Sequence, residues 1–280
     1  MLEGMAARKA TNRSGNIFVG VGGWNFAPWR GLFYPRGLTQ KRELAYMSSE
    51  LTSLEINSTF YGLQKPATFQ RWHDETPPDF IFSVKAPMFI VGRRDLSTAA
   101  QSIERFLDSG VLLLGKKLGP INWQLAPGKK FVPAEIEAFL SILPAKRDDI
   151  SLRHAIEVRH PSFAIPEFVE LARRHDVAIV LAGDAEYPQI ANATASFAYL
   201  RIMGTDDAQS TGYTAAALTR WAQRVRALSS GKSPPGLEMI PESAAAKTQP
   251  RDVFLYVISG AKRRNPAAAQ ALLEKLRRTS

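Results

Sequence analysis

With 280 residues and 45% hydrophobic content the chain can bury a large core, and α/β barrels reach this length as one unit. A formal charge of +10 favours polyanionic partners, while the absence of cysteine excludes disulfides, thiolate metal sites and a cysteine nucleophile. No apolar run approaches the roughly 18–20 residues of a bilayer span, and MLEGMAARKATNRSGN lacks the apolar segment of a secretory signal, so a cytoplasmic protein with no membrane partner is expected.

Residues 1–15 read as a flexible basic extension and 16–280 as a single domain. Eight segments rich in β-branched and aliphatic residues recur along that domain: IFVGVGG (17–23), SLEIN (53–57), FIFSVKA (80–86), GPINWQL (119–125), HAIEVRH (154–160), VAIVLAG (177–183), FAYLRIMG (197–204) and DVFLYVIS (252–259). Helical periodicity fills most of the intervals, over 102–117, 133–143, 166–175, 215–228 and 266–277. After the sixth segment, DAEYPQIANATAS offers no helix, and 229–251, rich in Pro, Ser and Ala, reads as an extended connection. Strand and helix alternating eight times predict an α/β fold of TIM type: a (β/α)₈ barrel of parallel strands with outer helices.

Side chains alternate faces along a strand, and a parallel strand covered on both sides should be apolar throughout. These segments are apolar on one parity only. Leu54, Ile56, Val84, Ile121, Trp123, Ile156, Val158, Val177, Ile179, Leu181, Leu200 and Ile202 form the helix-facing set. The opposite parity holds Glu55, Asn57, Ser83, Lys85, Asn122, Gln124, Glu157, Arg159, Tyr199 and Arg201, with Asp184 just past the sixth segment. In a closed barrel this second set points inward, its charges near the C-terminal rim where barrel active sites lie. Strand one contributes only Gly20 and Gly22 to that face, which is expected to leave room.

Three acids and three bases are thus expected to converge, and burying them costs several kcal/mol per ion unless they pair well. One reading is catalytic: Glu157 as general acid/base or metal ligand, Glu55 and Asp184 as further carboxylates, His160 as proton shuttle, and Lys85, Arg159 and Arg201 holding an anion. Asn57, Gln124, Trp24 and Tyr61 would line the substrate site. The competing reading is structural, with an ion-pair network bracing the barrel, His160 fixing its turn and the aromatics packing under loops. The metal is open. A Mg²⁺ or Mn²⁺ site built from Glu55, Glu157 and Asp184 is compatible with the residue types, whereas four histidines scattered over helices and opposite barrel ends argue against a polyhistidine zinc cluster.

The blocks GVGGWNFAPWRGLFYP, SLEINSTFYGLQKPATFQRW, PPDFIFSVKAP, KLGPINWQLAP, AIEVRHPSF and SFAYLRIMG, in this order, resemble the YecE-like proteins, the family labelled domain of unknown function 72. The resemblance runs from about Ile17 to Trp221 and implies a TIM-type barrel with a pocket at the strand C-termini, but no settled activity. Two positions depart from the pattern: YVISG (256–260) stands where relatives carry an acidic, Asn-rich motif, and Met203 where they carry a histidine.

The functional expectation is a hydrolase-like enzyme acting on a phosphate-bearing or other anionic substrate at the rim. The alternative is a non-catalytic anion- or nucleic-acid-binding barrel that has lost the family's chemistry. Loop cations Arg30, Arg36, Arg93, Arg94, Lys129, Lys130, Lys262, Arg263 and Arg264, interleaved with aromatics, motivate the alternative.

Overall fold

The computed structural model describes residues 14–241 and 248–277. All but the last two residues of the expected 1–15 extension, and the 242–247 part of the expected extended connection, lie outside the described residues.

Among the described residues eleven strand segments follow one another: β1 (Ile17–Gly22), β2 (Ser53–Ile56), β3 (Ile81–Lys85), β4 (Leu118–Gln124), β5 (Lys146–Arg147), β6 (Ile150–Ser151), β7 (His154–Glu157), β8 (Ala178–Ile179), β9 (Leu181–Gly183), β10 (Phe197–Ile202) and β11 (Asp252–Val257). Nine of them form one parallel sheet in the order β8-β7-β4-β3-β2-β1-β11-β10-β9. The two terminal segments, β8 and β9, are separated in the chain by Val180 alone, so the sheet curls into a nearly closed barrel. The remaining pair, β5 and β6, is a short antiparallel hairpin turned by Asp148 at φ 50°.

The α-helices are α1 (Glu43–Glu50), α2 (Ser58–Tyr61), α3 (Pro66–Asp74), α4 (Met88–Val91), α5 (Ala100–Leu107), α6 (Pro133–Ser141), α7 (Pro166–Arg174), α8 (Ala215–Ser229) and α9 (Asn265–Arg277). Pro at the first helical position starts α3, α6 and α7, where its missing N–H has no partner to lose. The helix expected over 102–117 is instead two pieces. After α5 the chain turns at Gly110 (φ 103°) and continues as 3₁₀ turns over Val111–Lys117, broken at Gly115 (φ 53°). An unbroken helix cannot hold left-handed residues at these points.

The apolar parity faces the helices as expected. Leu54, Ile56, Val84, Ile121, Trp123, Ile156, Leu200 and Ile202 are fully buried within the main core, together with helix residues such as Phe106, Phe139 and Phe168. A second, smaller apolar cluster fills the barrel interior: Ala155, Ala178, Val180, Phe197, Tyr199, Phe254 and Tyr256, with Phe18 and Ile81 packed on it. At the strand N-termini the rings of Phe18 and Phe254 stack at 4.9 Å and Phe197 meets Phe254 edge-on, closing that end with hydrocarbon. One layer higher, the Tyr256 hydroxyl bridges Ser53 Oγ and Ser83 Oγ, each at 2.7 Å.

Gly20 and Gly22 do not open space. A Cβ on Gly20 would lie 2.1 Å from the Ser53 carbonyl oxygen, and one on Gly22 would lie 2.7 Å from Asn57 Nδ2. The glycines let neighbouring groups approach β1 closely, which is the correction to their reading as room for a ligand.

Candidate functional site

Above the Tyr256 layer the interior turns ionic. Register pairs Gly22 with Glu55, Lys85 with Asn122, Gln124 with Glu157, and Arg201 with Tyr256, so residues from β2, β3, β4, β7 and β10 meet near the strand C-termini. Arg201 is the hub. Its Nη1 donates to Glu157 Oε2 at 2.5 Å and to Gln124 Oε1 at 3.2 Å, and its Nη2 donates to Glu55 Oε1 at 3.0 Å. Tyr199 donates its hydroxyl to Glu55 Oε2 at 2.7 Å. Asn122 Nδ2 lies 3.4 Å from an oxygen of each carboxylate. At the outer end Arg159 reaches Glu157 Oε1 at 2.8 Å through Nε and Nη2, with its guanidinium 4.4 Å above the Tyr187 ring.

Both glutamates are 0% exposed, and an unpaired carboxylate buried to that degree would be costly. Burial alone would push the Glu157 carboxyl up; the guanidiniums of Arg201 and Arg159 outweigh it and hold the group below the usual carboxylate range. Burial likewise opposes the Arg201 charge, yet Glu157 and Glu55 hold that guanidinium more firmly protonated than in water. The Tyr199 phenol is pushed well up, chiefly by burial and then by Glu55, and stays a donor. A deprotonated Glu157 engaged by two arginines is an anchor for positive charge and has no proton to give. The Tyr199 hydroxyl supports the same lock. Tyr199→Phe is expected to lose about 2 kcal/mol of stability, the scale of a buried hydrogen bond to a charged acceptor, read from the midpoint of urea unfolding.

Lys85 differs from the other four charged residues of the cluster. It ends β3, is 7% exposed, and makes no ion pair or hydrogen bond through Nζ among the described residues; the ammonium instead lies 3.9 Å from the centre of the Phe60 ring. Burial, the largest influence, together with repulsion from Arg201 and Arg159 overcomes the attraction of Glu55 and Glu157 and brings its pKa down to about 8. The carboxylates that would ordinarily neutralise it are already engaged by the arginines.

Asp184 does not join this cluster. It adopts φ 56° immediately after β9, is exposed, and accepts from Trp221 Nε1 of α8 at 2.9 Å. The left-handed turn ends the strand's alternation, so its parity no longer predicts its direction. Glu55, Glu157 and Asp184 therefore do not meet as a Mg²⁺ or Mn²⁺ ligand set, and among the described residues no three metal-ligating side chains gather elsewhere. His160 caps the 3₁₀ turn Pro161–Phe163: its Nδ1 accepts from Ser162 N at 3.2 Å and lies 2.9 Å from Ser162 Oγ. That geometry matches the turn-fixing role.

Beside the cluster, between the loops after β1 and β2, lies a cleft of about 840 Å³ lined by Trp24, Phe26, Asn57, Arg71, Trp72 and Lys262, among others. Trp24 meets Trp72 edge-on at 5.2 Å, and the Lys262 ammonium sits 4.5 Å from the Phe26 ring. The cleft and the cluster share one turn, since Asn57 lines the first and Phe60, three residues on, touches Lys85. Tyr61 is 80% exposed and contacts Phe60 edge-on at the rim. Tyr256 is not among the candidate residues read from the sequence. The inward parity of DVFLYVIS carries a signal for Tyr256, whereas the Phe60 contact depends on where the short helix α2 sets its ring after β2, which strand parity does not encode.

The sequence matches the family described as protein of unknown function DUF72 over residues 18–280. The chain belongs to the DUF72 family. Curated relatives include the UPF0759 protein YecE of Escherichia coli (strain K12), 31% identical over 150 residues that cover 52% of this chain and 50% of that protein. The UPF0759 protein YunF of Bacillus subtilis (strain 168) is 28% identical over 159 residues, covering 55% of this chain and 54% of that one. The chain spans about half the length of these relatives. Among solved structures, a DUF72 family protein of Thermotoga maritima MSB8 superposes with a TM-score of 0.71 at 20% identity, covering 94% of this chain and 99% of the other. One from Enterococcus faecalis V583 gives a TM-score of 0.69 at 16% identity, covering 94% and 96%. A xylose isomerase-like TIM barrel/4-hydroxyphenylpyruvate dioxygenase fusion protein gives 0.50 at 12% identity, covering 95% of this chain and 44% of that one. At these identities the structures speak to fold, and they agree with an α/β barrel for this DUF72 member.

Proposed function

We propose that this DUF72 member is an enzyme that takes a small phosphate-bearing or otherwise anionic substrate at the C-terminal mouth of an eight-strand (β/α)₈ barrel. Counting eight strands rests on reading β8 and β9 as one strand interrupted at Val180, whose N–H continues the pairing with β7 by donating to the Ile156 carbonyl at 2.9 Å. The observation that carries the functional reading is Lys85, a cation in an ionic cluster whose other four charges, among the described residues, are matched two against two by ion pairs. A substrate anion would supply the charge that Glu55 and Glu157 do not. Arg159, partly exposed at the rim, offers a second donor, and the aromatic, cationic cleft offers space for the rest of the molecule. Acid–base work within a hydrolase-like reaction falls to Lys85, whose pKa of about 8 lies near neutrality, with Glu157 holding the arginines in place.

The nucleic-acid reading draws less support, because several of the loop cations are engaged within the protein. Arg30 pairs with Glu43, Lys129 with Glu135, and both Arg263 and Arg264 with Asp207. Orthophosphate and small phosphate esters are expected to raise the melting temperature of the wild-type chain. Arg159→Gln and Lys85→Met are each expected to weaken that binding about tenfold or more, the scale of a lost charged hydrogen bond. If no phosphate moves the melting temperature while single-stranded oligonucleotides do so with steep salt dependence, the enzyme reading falls and the binding-module reading takes its place.

A further inference from the structure

We propose that Lys85 is a carbonyl-reactive amine, forming a covalent imine with an aldehyde or ketone that bears an anionic group. This rests on the reading above that the mouth receives an anion, and it names the reacting bond. Three features of the site bear on it. Lys85 stands at the C-terminal end of an interior strand, where the chain leaves the barrel at Ala86 and Pro87. Among the described residues its Nζ is committed to no carboxylate, and Glu55 and Glu157 are held by the arginines instead. Burial and the guanidiniums of Arg201 and Arg159, which share the cluster, disfavour the ammonium and would favour an anionic group on an incoming molecule, while the Phe60 ring lies against Nζ and offers it no counter-charge.

An imine requires the neutral amine. At pH 7.5 an amine of pKa about 8 is neutral in roughly a quarter of molecules, against about one in a thousand for an ordinary lysine. The chemistry is balanced with the carbonyl compound alone. The nitrogen lone pair attacks the carbonyl carbon, the C=O π pair moves to oxygen, and a proton passes from nitrogen to that oxygen to give a carbinolamine. Departure of the hydroxyl with one more proton releases water and leaves C=N; hydrolysis reverses each step.

The test uses the full chain with sodium cyanoborohydride and two probes, glycolaldehyde phosphate and neutral glycolaldehyde, followed by intact-mass measurement and peptide mapping. At pH 8 the phosphate probe is expected to modify Lys85 at least tenfold faster than any other lysine, with the rate rising through pH 8. Lys85→Arg is expected to reduce labelling to the surface rate, and mapping of the wild type decides the matter even if that variant folds poorly. Recovery of Lys85 unmodified while exposed lysines are labelled would overturn the inference. Two further outcomes separate it from the reading beneath it. Equal labelling of Lys85 by both probes keeps the imine and removes the anion preference. Protection against melting by orthophosphate with no labelling at Lys85 keeps the anion site and removes the imine.

Discussion

Replacing Arg201 by Met is expected to lower the free energy of unfolding by about 3–5 kcal/mol, because it strips buried Glu55 of its guanidinium and leaves buried Glu157 with Arg159 alone. The size follows from asymmetry. A buried pair that is complete contributes little over an apolar replacement, but removing one partner leaves the desolvation of the other uncompensated. Here one guanidinium serves two carboxylates, which sets the loss toward the upper end of that range. Arg201→Lys is not expected to rescue the fold, since a single ammonium cannot send two separate N–H groups along the directions that Nη1 and Nη2 take to Glu157 and Glu55. Adding Glu55→Gln and Glu157→Gln to Arg201→Met is expected to recover part of the loss by removing the stranded charges. Urea unfolding of the series at pH 7 reads all of these, and a change below about 1 kcal/mol for Arg201→Met would show that water or rearrangement already satisfies the carboxylates.

The same ionic layer explains how much of the molecule was legible beforehand. Period-two alternation sorted the strands correctly wherever the chain stayed extended, so Glu55, Lys85, Asn122, Gln124, Glu157, Tyr199 and Arg201 fall on the inner face and Leu54, Trp123, Ile156 and Leu200 on the outer. It failed one residue beyond β9, because Asp184 turns left-handed and alternation has no meaning past that point. It failed for Gly20 in another way. A missing side chain reads equally as a gap or as a close approach, and only the Ser53 carbonyl, brought from another strand, decides between them. The helix expected over 102–117 foundered on Gly110 and Gly115, whose positive φ values a periodic apolar pattern does not reveal. Which ions pair with which was likewise beyond parity. Nothing in the order of residues says that Arg201 takes both glutamates and leaves Lys85 to Phe60.

That residual pairing makes Lys85 a burden on the fold at neutral pH, and Lys85→Met is expected to stabilise the protein there by up to about 3 kcal/mol. The folded chain holds this amine at a pKa near 8, whereas the unfolded chain holds it in the ordinary lysine range near 10.5. Below pH 8 both states carry the proton and the full penalty of burying the ammonium is present. Between about pH 8 and 10.5 the unfolded chain still binds the proton that the folded chain has released, so raising the pH favours folding through this group, and above that window the penalty has gone. The advantage of Lys85→Met should therefore be largest near pH 7 and shrink toward zero by about pH 10.5, with the wild type converging on the variant. Paired guanidinium unfolding curves at pH 7, 8.5 and 10 isolate the effect, because every other titrating group is common to both chains. A difference that is constant with pH, or a variant less stable at pH 7, would mean that the ammonium is compensated in solution by a partner that the ion-paired glutamates do not provide. If the convergence is seen, an amine that strains the native state at physiological pH is retained where methionine would fit, which is the pattern expected of a residue held for its chemistry.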